Sequence, residues 1–351
     1  MSPTAFDGTR VLGDRAALHA LVGLADRLRR AGYSNMPSRV DPVAAELALG
    51  YPVSCPALGQ AELEALVRSG AGDVTEDRFV PRFTLFAVGE IITLVPKDDG
   101  NDPGRVYFGR DSLWLADFAS RLRTPGGAVA DLGTGAGTVA AVVAPRFDVV
   151  VATDIVGRTA ACAALTFALN PRRDGTRSAT AVVTDVAAGL AAGTFALVTG
   201  NPPWVPDLDH EVAGPSRVFA EGGATGFELP RRFIVEGAAL LAPGGVMVML
   251  ALDMTWAGGV RPLHSLARGL IRLGLEVSLA PTGLSDLWDT LERDMCERIP
   301  KLSSVSHVAL VAHRPALDLG PGDAGAGQST SSGSRTKRNS DPNSLWATSS
   351  V

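Results

Sequence analysis

Ala128-Val-Ala-Asp-Leu-Gly-Thr-Gly-Ala-Gly137 is a short apolar run that meets an acid and then three glycines within five residues. The run reads as a strand over Ala128–Asp131. The glycines read as a sharp turn into a helix N-terminus, where the backbone can come close to a ligand. Such a turn has two explanations, a ligand cradle or a plain tight turn. A dinucleotide-binding loop written from Gly133-x-Gly135 would carry Gly or Ala at position 138, and this chain carries Thr138. That weakens a reading as an NAD site.

Outward from this loop the same alternation continues. Further strands are expected at Val149–Asp154, Ala181–Asp185, Ala196–Gly200, Val246–Ala251, Glu276–Ala280 and Ser306–Ala312, with helices in the gaps between the first six. Short β-branched runs alternating with helices predict an α/β fold with a parallel sheet covered on both faces. Only Ser285–Arg298 and a loop separate the last two strands, which leaves room for a final antiparallel strand. Upstream, Asp14 is placed to cap a helix over Arg15–Arg30, with Leu18, Leu21, Val22, Leu24 and Leu28 near the helical period and Gly32 as its stop. Shorter helices are expected at Pro42–Leu49 and Gly59–Arg68, then a hairpin from Arg78–Ala87 and Glu90–Val95, closed by Lys97–Gly104. The expected organisation is an N-terminal accessory domain over 1–104, a sheet domain over 105–314 and a Gly/Ser-rich disordered tail over 315–351.

Three strands in succession end in an acid: Asp131, Asp154 and Asp185. One acid at a strand end is as readily a cap as a ligand contact. Three at the C-terminal edge of one sheet mark the place where open α/β sheets bind ligands, and Asp154 stands where a carboxylate can accept from both ribose hydroxyls of a nucleoside cofactor. The fourth strand ends in Gly200-Asn-Pro-Pro-Trp204. Two prolines cannot continue a ladder, so the chain leaves the sheet in a rigid loop. The Asn201 side-chain oxygen and the Pro202 carbonyl are two acceptors for the hydrogens of an –NH2, and the Trp204 indole is a flat surface on which an amide or a base can stack.

With these four pieces in order, the sequence resembles the class I S-adenosylmethionine-dependent methyltransferases over about residues 105–314. The resemblance implies a Rossmann-like seven-stranded sheet, with S-adenosyl-L-methionine held by Asp131, Gly133, Thr134, Gly135, Gly137, Asp154, Asp185 and Asn201. It also implies Asn201, Pro202 and Trp204 as the catalytic loop. The segment Phe219-Ala-Glu-Gly-Gly-Ala-Thr-Gly-Phe-Glu-Leu-Pro-Arg-Arg-Phe-Ile234 is similar to one in the protein-glutamine N5-methyltransferases that modify peptide release factors. Val106–Leu115 falls where that family leads into the cofactor site, and Arg110, Asp111 or Ser112 is expected either to touch the cofactor or to cap a helix. Arg231 and Arg232 open the helix after the Gly-Gly loop, and His210 follows the catalytic loop with no partner that can be named.

Three functions remain open at this stage. The first is N-methylation of a planar amino group, with a glutamine amide of a protein as the acceptor that the resemblance implies. The second is the same chemistry on an exocyclic amine of a nucleic acid base or on a small metabolite. The third is a silent cofactor-binding scaffold. The chain has 351 residues, 46% hydrophobic and 20% charged, with a net charge of −5, and only Lys97, Lys301 and Lys337 are lysines. That balance disfavours nucleic acid, whose phosphates call for a basic face, and leaves a protein presenting a glutamine loop, or a small molecule, as the partner. Cys55, Cys162 and Cys296 fit neither a disulfide framework nor a metal site. No signal-like segment or 18-residue apolar span is read, so no metal and no membrane are expected, and the compartment expected is the cytoplasm.

Overall fold

The computed structural model describes residues 6–97, 105–171, 178–206, 221–284, 292–293 and 295–316. The expected tail therefore lies outside the described residues from 317 onward, as do His210, the Lys97–Gly104 loop after Lys97 and most of Ser285–Arg298. The N-terminal region holds α1 (Gly8–Gly13), α2 (Arg15–Arg30), α3 (Pro42–Ala48) and α4 (Gln60–Arg68), with strands β1 (Val53–Ser54), β2 (Gly72–Thr75), β3 (Arg78–Pro81), β4 (Phe83–Val88) and β5 (Ile91–Pro96). Helix α2 forms as its sequence dictates. The Asp14 carboxylate accepts from the amides of Ala16 and Ala17, a cap worth about 1 kcal/mol, and Leu21, Leu24 and Leu28 are buried on one face.

The expected single hairpin is in fact two pieces. β3 joins β1 and β2 in a three-stranded antiparallel sheet, while β4 pairs with β5 alone. The break falls at Arg82, whose amide donates to the Ala71 carbonyl and whose carbonyl accepts from Lys97. Arg82 is thus the corner between two ladders, which alternation of apolar residues does not reveal.

The remaining elements are α5 (Arg110–Arg121), β6 (Ala128–Leu132), α6 (Thr138–Val143), β7 (Val149–Asp154), α7 (Gly157–Leu169), β8 (Ser178–Val183), β9 (Phe195–Gly200), α8 (Glu228–Leu240), β10 (Leu241–Trp256), α9 (Pro262–Arg272), β11 (Glu276–Pro281) and β12 (Leu302–His313). They build one seven-stranded sheet in the order β11-β12-β10-β9-β6-β7-β8. β8, β7, β6, β9 and β10 run parallel to their neighbours in turn, and β12 is antiparallel to both β10 and β11. The helix expected between β8 and β9 is absent: residues 184–194 form turns, with Gly189 and Gly193 at φ of 82° and 69°. A span that short, broken by glycines in left-handed geometry, cannot hold helical hydrogen bonding.

Successive residues of the central strands face opposite layers, as the two-residue strand period requires. Val246, Val248 and Leu250 of β10 pack with α5 and α6, while Met247, Met249 and Ala251 pack with α8 and α9. Helix α7 carries the N-terminal region: Cys162, Leu165 and Leu169 belong to its core. The Asn170 side chain closes the join by accepting from Ile92 N (2.9 Å) and donating to Ile92 O (2.8 Å). Among the described residues no helix is long and apolar enough to cross a membrane.

Candidate active site

Three strand ends and the two loops beside them enclose a cavity of about 380 Å3 at the C-terminal edge of β6, β7 and β9. A volume of this order suits a nucleoside-sized ligand. Seven of the residues expected at the site line it: Asp131, Gly133, Thr134, Gly135, Asp154, Asp185 and Asn201. Ser112 lines it too, with Arg105, Tyr107, Ile155, Arg232 and Phe233. Gly137, Pro202 and Trp204 do not.

The glycine loop is fixed by close packing. Gly135 has φ of 57°, and a Cβ there would stand 2.9 Å from the Tyr107 carbonyl oxygen. Only glycine lets residues 105–109 lie against the loop. Asp131 sits at the end of β6, 2% exposed, and accepts from the hydroxyls of Thr134 and Thr199, each at 2.7 Å. Burial raises its pKa to about 6, with the two threonine bonds opposing the shift. Asp154 accepts from the amides of Gly135 (3.2 Å) and Val156 (3.0 Å), and burial lifts its pKa to about 6 as well. Asp185 stands two residues past the end of β8, where Arg232 donates to both its oxygens at 3.2 and 3.1 Å. Arg232 also reaches Glu236, so this third acid is held by a cation on the α8 side.

Asn201 follows the last residue of β9. Its amino group donates to Asp111 Oδ2 at 2.9 Å, and its side-chain oxygen is buried with no hydrogen-bond partner among the described residues. A buried acceptor left bare costs about 1–3 kcal/mol, a cost that a ligand N–H would remove. Asp111, in the first turn of α5, is 1% exposed. It also accepts from the Tyr107 hydroxyl (2.9 and 3.1 Å) and from the Ser112 amide (2.8 Å). Burial, with Asp111 beside it, pushes the Tyr107 phenol well above its ordinary pKa, so it stays a donor.

Trp204 is turned inward. It is 5% exposed and packs with Leu252, Met254, Met295, Ile299 and Leu302, edge to face with the His307 ring at 5.7 Å between centroids. Burial lowers the His307 pKa to about 4, so the ring is neutral, and its Nδ1 meets the Thr282 hydroxyl at 2.9 Å. The Gly-Gly-x-x-Gly segment clamps the same loop. The Gly222 amide donates to Val205 O at 2.9 Å, a Cβ on Gly222 would lie 2.6 Å from Trp204 Cα, and one on Gly226 would collide with the Trp204 carbonyl. Sequence reasoning missed Tyr107, Ile155 and Phe233. The four-residue step from Tyr107 to Asp111 was the signal available for the first of them. Arg231 does not line the cavity; its neighbour Arg232 does.

Strand order and direction, with the glycine turn after the central strand β6 and the cavity at its C-terminal edge, are those of the class I S-adenosylmethionine-dependent methyltransferases, and this is the fold of the chain. Residues 112–255 match a family described as "Methyltransferase small domain". In sequence the chain is similar to release factor glutamine methyltransferases. It is 39% identical over 134 residues to that of Rhodospirillum rubrum, which is 35% of this chain and 39% of the relative. It is 37% identical over 71 residues to that of Deinococcus radiodurans, 19% of this chain and 25% of the relative. The chain thus spans about two fifths and one quarter of these relatives' lengths. Solved structures similar to it include a ribosomal protein L11 methylase from Lactobacillus delbrueckii subsp. bulgaricus (16% identity, TM-score 0.34, 58% of this chain and 77% of that one). Another is P. horikoshii TYW2 in complex with MeSAdo (12% identity, TM-score 0.42, 66% of this chain and 71% of that one).

Proposed function

We propose that the protein is an S-adenosylmethionine-dependent N-methyltransferase whose acceptor is the side-chain amide of a glutamine in a protein. The observation that carries this reading is the bare, buried oxygen of Asn201 on a residue lining the cavity. It is a ready acceptor for an N–H, and an –NH2 group is what it suits. The cavity chemistry fits the cofactor. Asp154 offers a carboxylate to ribose hydroxyls, the glycine loop offers close backbone, and Ile155 offers an apolar surface for a base. When bound, S-adenosyl-L-methionine supplies an electrophilic methyl group. The chain's own task is to hold the acceptor nitrogen still, dry and correctly turned, because an amide nitrogen is a weak nucleophile and gains most from positioning. Asn201 Oδ1 takes one N–H, and the buried Trp204 with its neutral His307 neighbour keeps the loop rigid. Pro202, which the sequence offered as a second acceptor, is buried and does not line the cavity. The proton released on methylation passes from the acceptor nitrogen to solvent, since an amide oxygen accepts a hydrogen bond without taking the proton.

The choice of a protein glutamine is supported by the names of the two curated relatives and by the Gly-Gly-x-x-Gly segment, and a net charge of −5 disfavours nucleic acid. The test is Asn201→Ala. Transfer of labelled methyl to a purified peptide release factor should fall by roughly 10²–10³, while calorimetric affinity for S-adenosylmethionine stays within a few-fold. Normal methylation by this variant would refute the assignment.

A further inference from the structure

An asparagine amide has two chemically opposite ends of almost equal size, so shape alone does not decide which one meets the acceptor. With the amino end inward, Asn201 would repel an incoming N–H. The loop Asn201-Pro-Pro-Trp204 contains nothing that selects an orientation. The decision comes from 90 residues upstream, where the Asp111 carboxylate lies 2.9 Å from Asn201 Nδ2.

We infer that Asp111 is a positioning residue: by taking the Asn201 amino group it turns the amide oxygen toward the methyl acceptor. The inference rests on the reading of Asn201 given above. A carboxylate offers only acceptors, so the end of the amide that faces it must be –NH2. The Tyr107 hydroxyl and the Ser112 amide fix the carboxylate in turn, so the orientation is set before any ligand arrives. Asp111 is 1% exposed, and water does not compete for these bonds. Its negative charge also polarises the amide it holds, raising electron density on the far oxygen. That oxygen is the atom beside a nitrogen that becomes more positive as the methyl arrives. Asp111 itself does not line the cavity and acts only through Asn201.

Two substitutions separate orientation from fold. Asp111→Leu removes every acceptor. Asp111→Asn keeps one oxygen for the Asn201 amino group and loses the charge. The side-chain –NH2 resonances of Asn201, identified by their loss in Asn201→Ala, are followed by NMR in the full-length protein with S-adenosylhomocysteine added. They should exchange slowly in the wild type and in Asp111→Asn, and become fast-exchanging in Asp111→Leu. In parallel, kcat on the release factor should drop at least about a hundredfold in Asp111→Leu and far less in Asp111→Asn, with the KM for S-adenosylmethionine within a few-fold in both. Unchanged amide signals and turnover in Asp111→Leu would overturn the inference while leaving the function intact. Normal methylation by Asn201→Ala would instead remove the reading beneath it. Should Asp111→Leu not fold, Asp111→Ala, which also removes every acceptor, takes its place: fast exchange with lost turnover supports the role, and unchanged signals and turnover contradict it.

Discussion

Asp131→Asn is expected to make the ligand-free protein more stable while costing it the cofactor. Asp131 is wholly buried, and its pKa is raised from 3.8 to about 6, chiefly by loss of water. At about 1.4 kcal/mol per pKa unit, carrying the charge in the folded state costs roughly 3 kcal/mol. Asparagine removes the charge and keeps both bonds. Its oxygen accepts from one threonine hydroxyl, and its amino group donates to the other, which rotates to receive it. Repacking takes part of the gain, so the net should be about 1–3 kcal/mol at pH near 8. The pH dependence carries the sign. With the folded pKa above the unfolded one, the native state binds more protons between about pH 4 and 6, and wild-type stability falls as pH rises through that window. The advantage of the variant is therefore full above about pH 6 and gone below about pH 4. Urea midpoints at the two ends of this range, without cofactor, provide the assay. A variant less stable than wild type at the alkaline end, or a difference independent of pH, would refute the reasoning. Calorimetry on the same samples should show weakened S-adenosylmethionine binding, a trade of stability for function.

Asp154 gives the cofactor affinity a matching pH dependence. With a folded pKa of about 6, it loses acceptor strength as pH falls below that value, and affinity for S-adenosylmethionine should drop by up to about tenfold per pH unit there. Titrations of Asp154→Asn should show a flatter profile, and an equally steep one would remove the assignment. Gly226→Ala strains a residue at φ of 78° and drives a methyl into the Trp204 carbonyl. It should cost about 2 kcal/mol or more in stability and lower kcat further than it lowers cofactor affinity, because the loop it disturbs holds the acceptor. Equal losses in both would detach this segment from the acceptor side.

How much of this was written in the sequence depends on the distance over which each feature acts. Helix α2 was legible because its Asp14 cap and its leucine spacing are contiguous in the chain, and the sheet was legible because most of its strands are short, local, largely apolar runs. The glycine loop, Asp131 and Asp154 could be read for the same reason, since strand, turn and helix start follow one another in the chain there. Asp185 stands two residues past its strand, with turns and no helix after it. Three things were not legible. Arg82 ends one ladder and begins another through contacts with Ala71 and Lys97, which an apolar pattern does not record. Trp204 is buried by residues of β10, β12 and the stretch before β12, so its inward orientation is a tertiary outcome. Asp111 acquires its meaning only when the fold brings α5 beside the end of β9, and in sequence it looked as much like a helix cap as a site residue.

The most direct test of the central claim is to find where the methyl goes. Full-length protein, labelled S-adenosylmethionine and purified peptide release factor are incubated together, and the factor is digested and mapped by mass spectrometry. The account predicts one added methyl on a glutamine side-chain nitrogen, absent when Asn201→Ala replaces the wild type. Label that appears instead in nucleic acid or in a small-molecule fraction of cell extract, with the release factor unmodified, would contradict it.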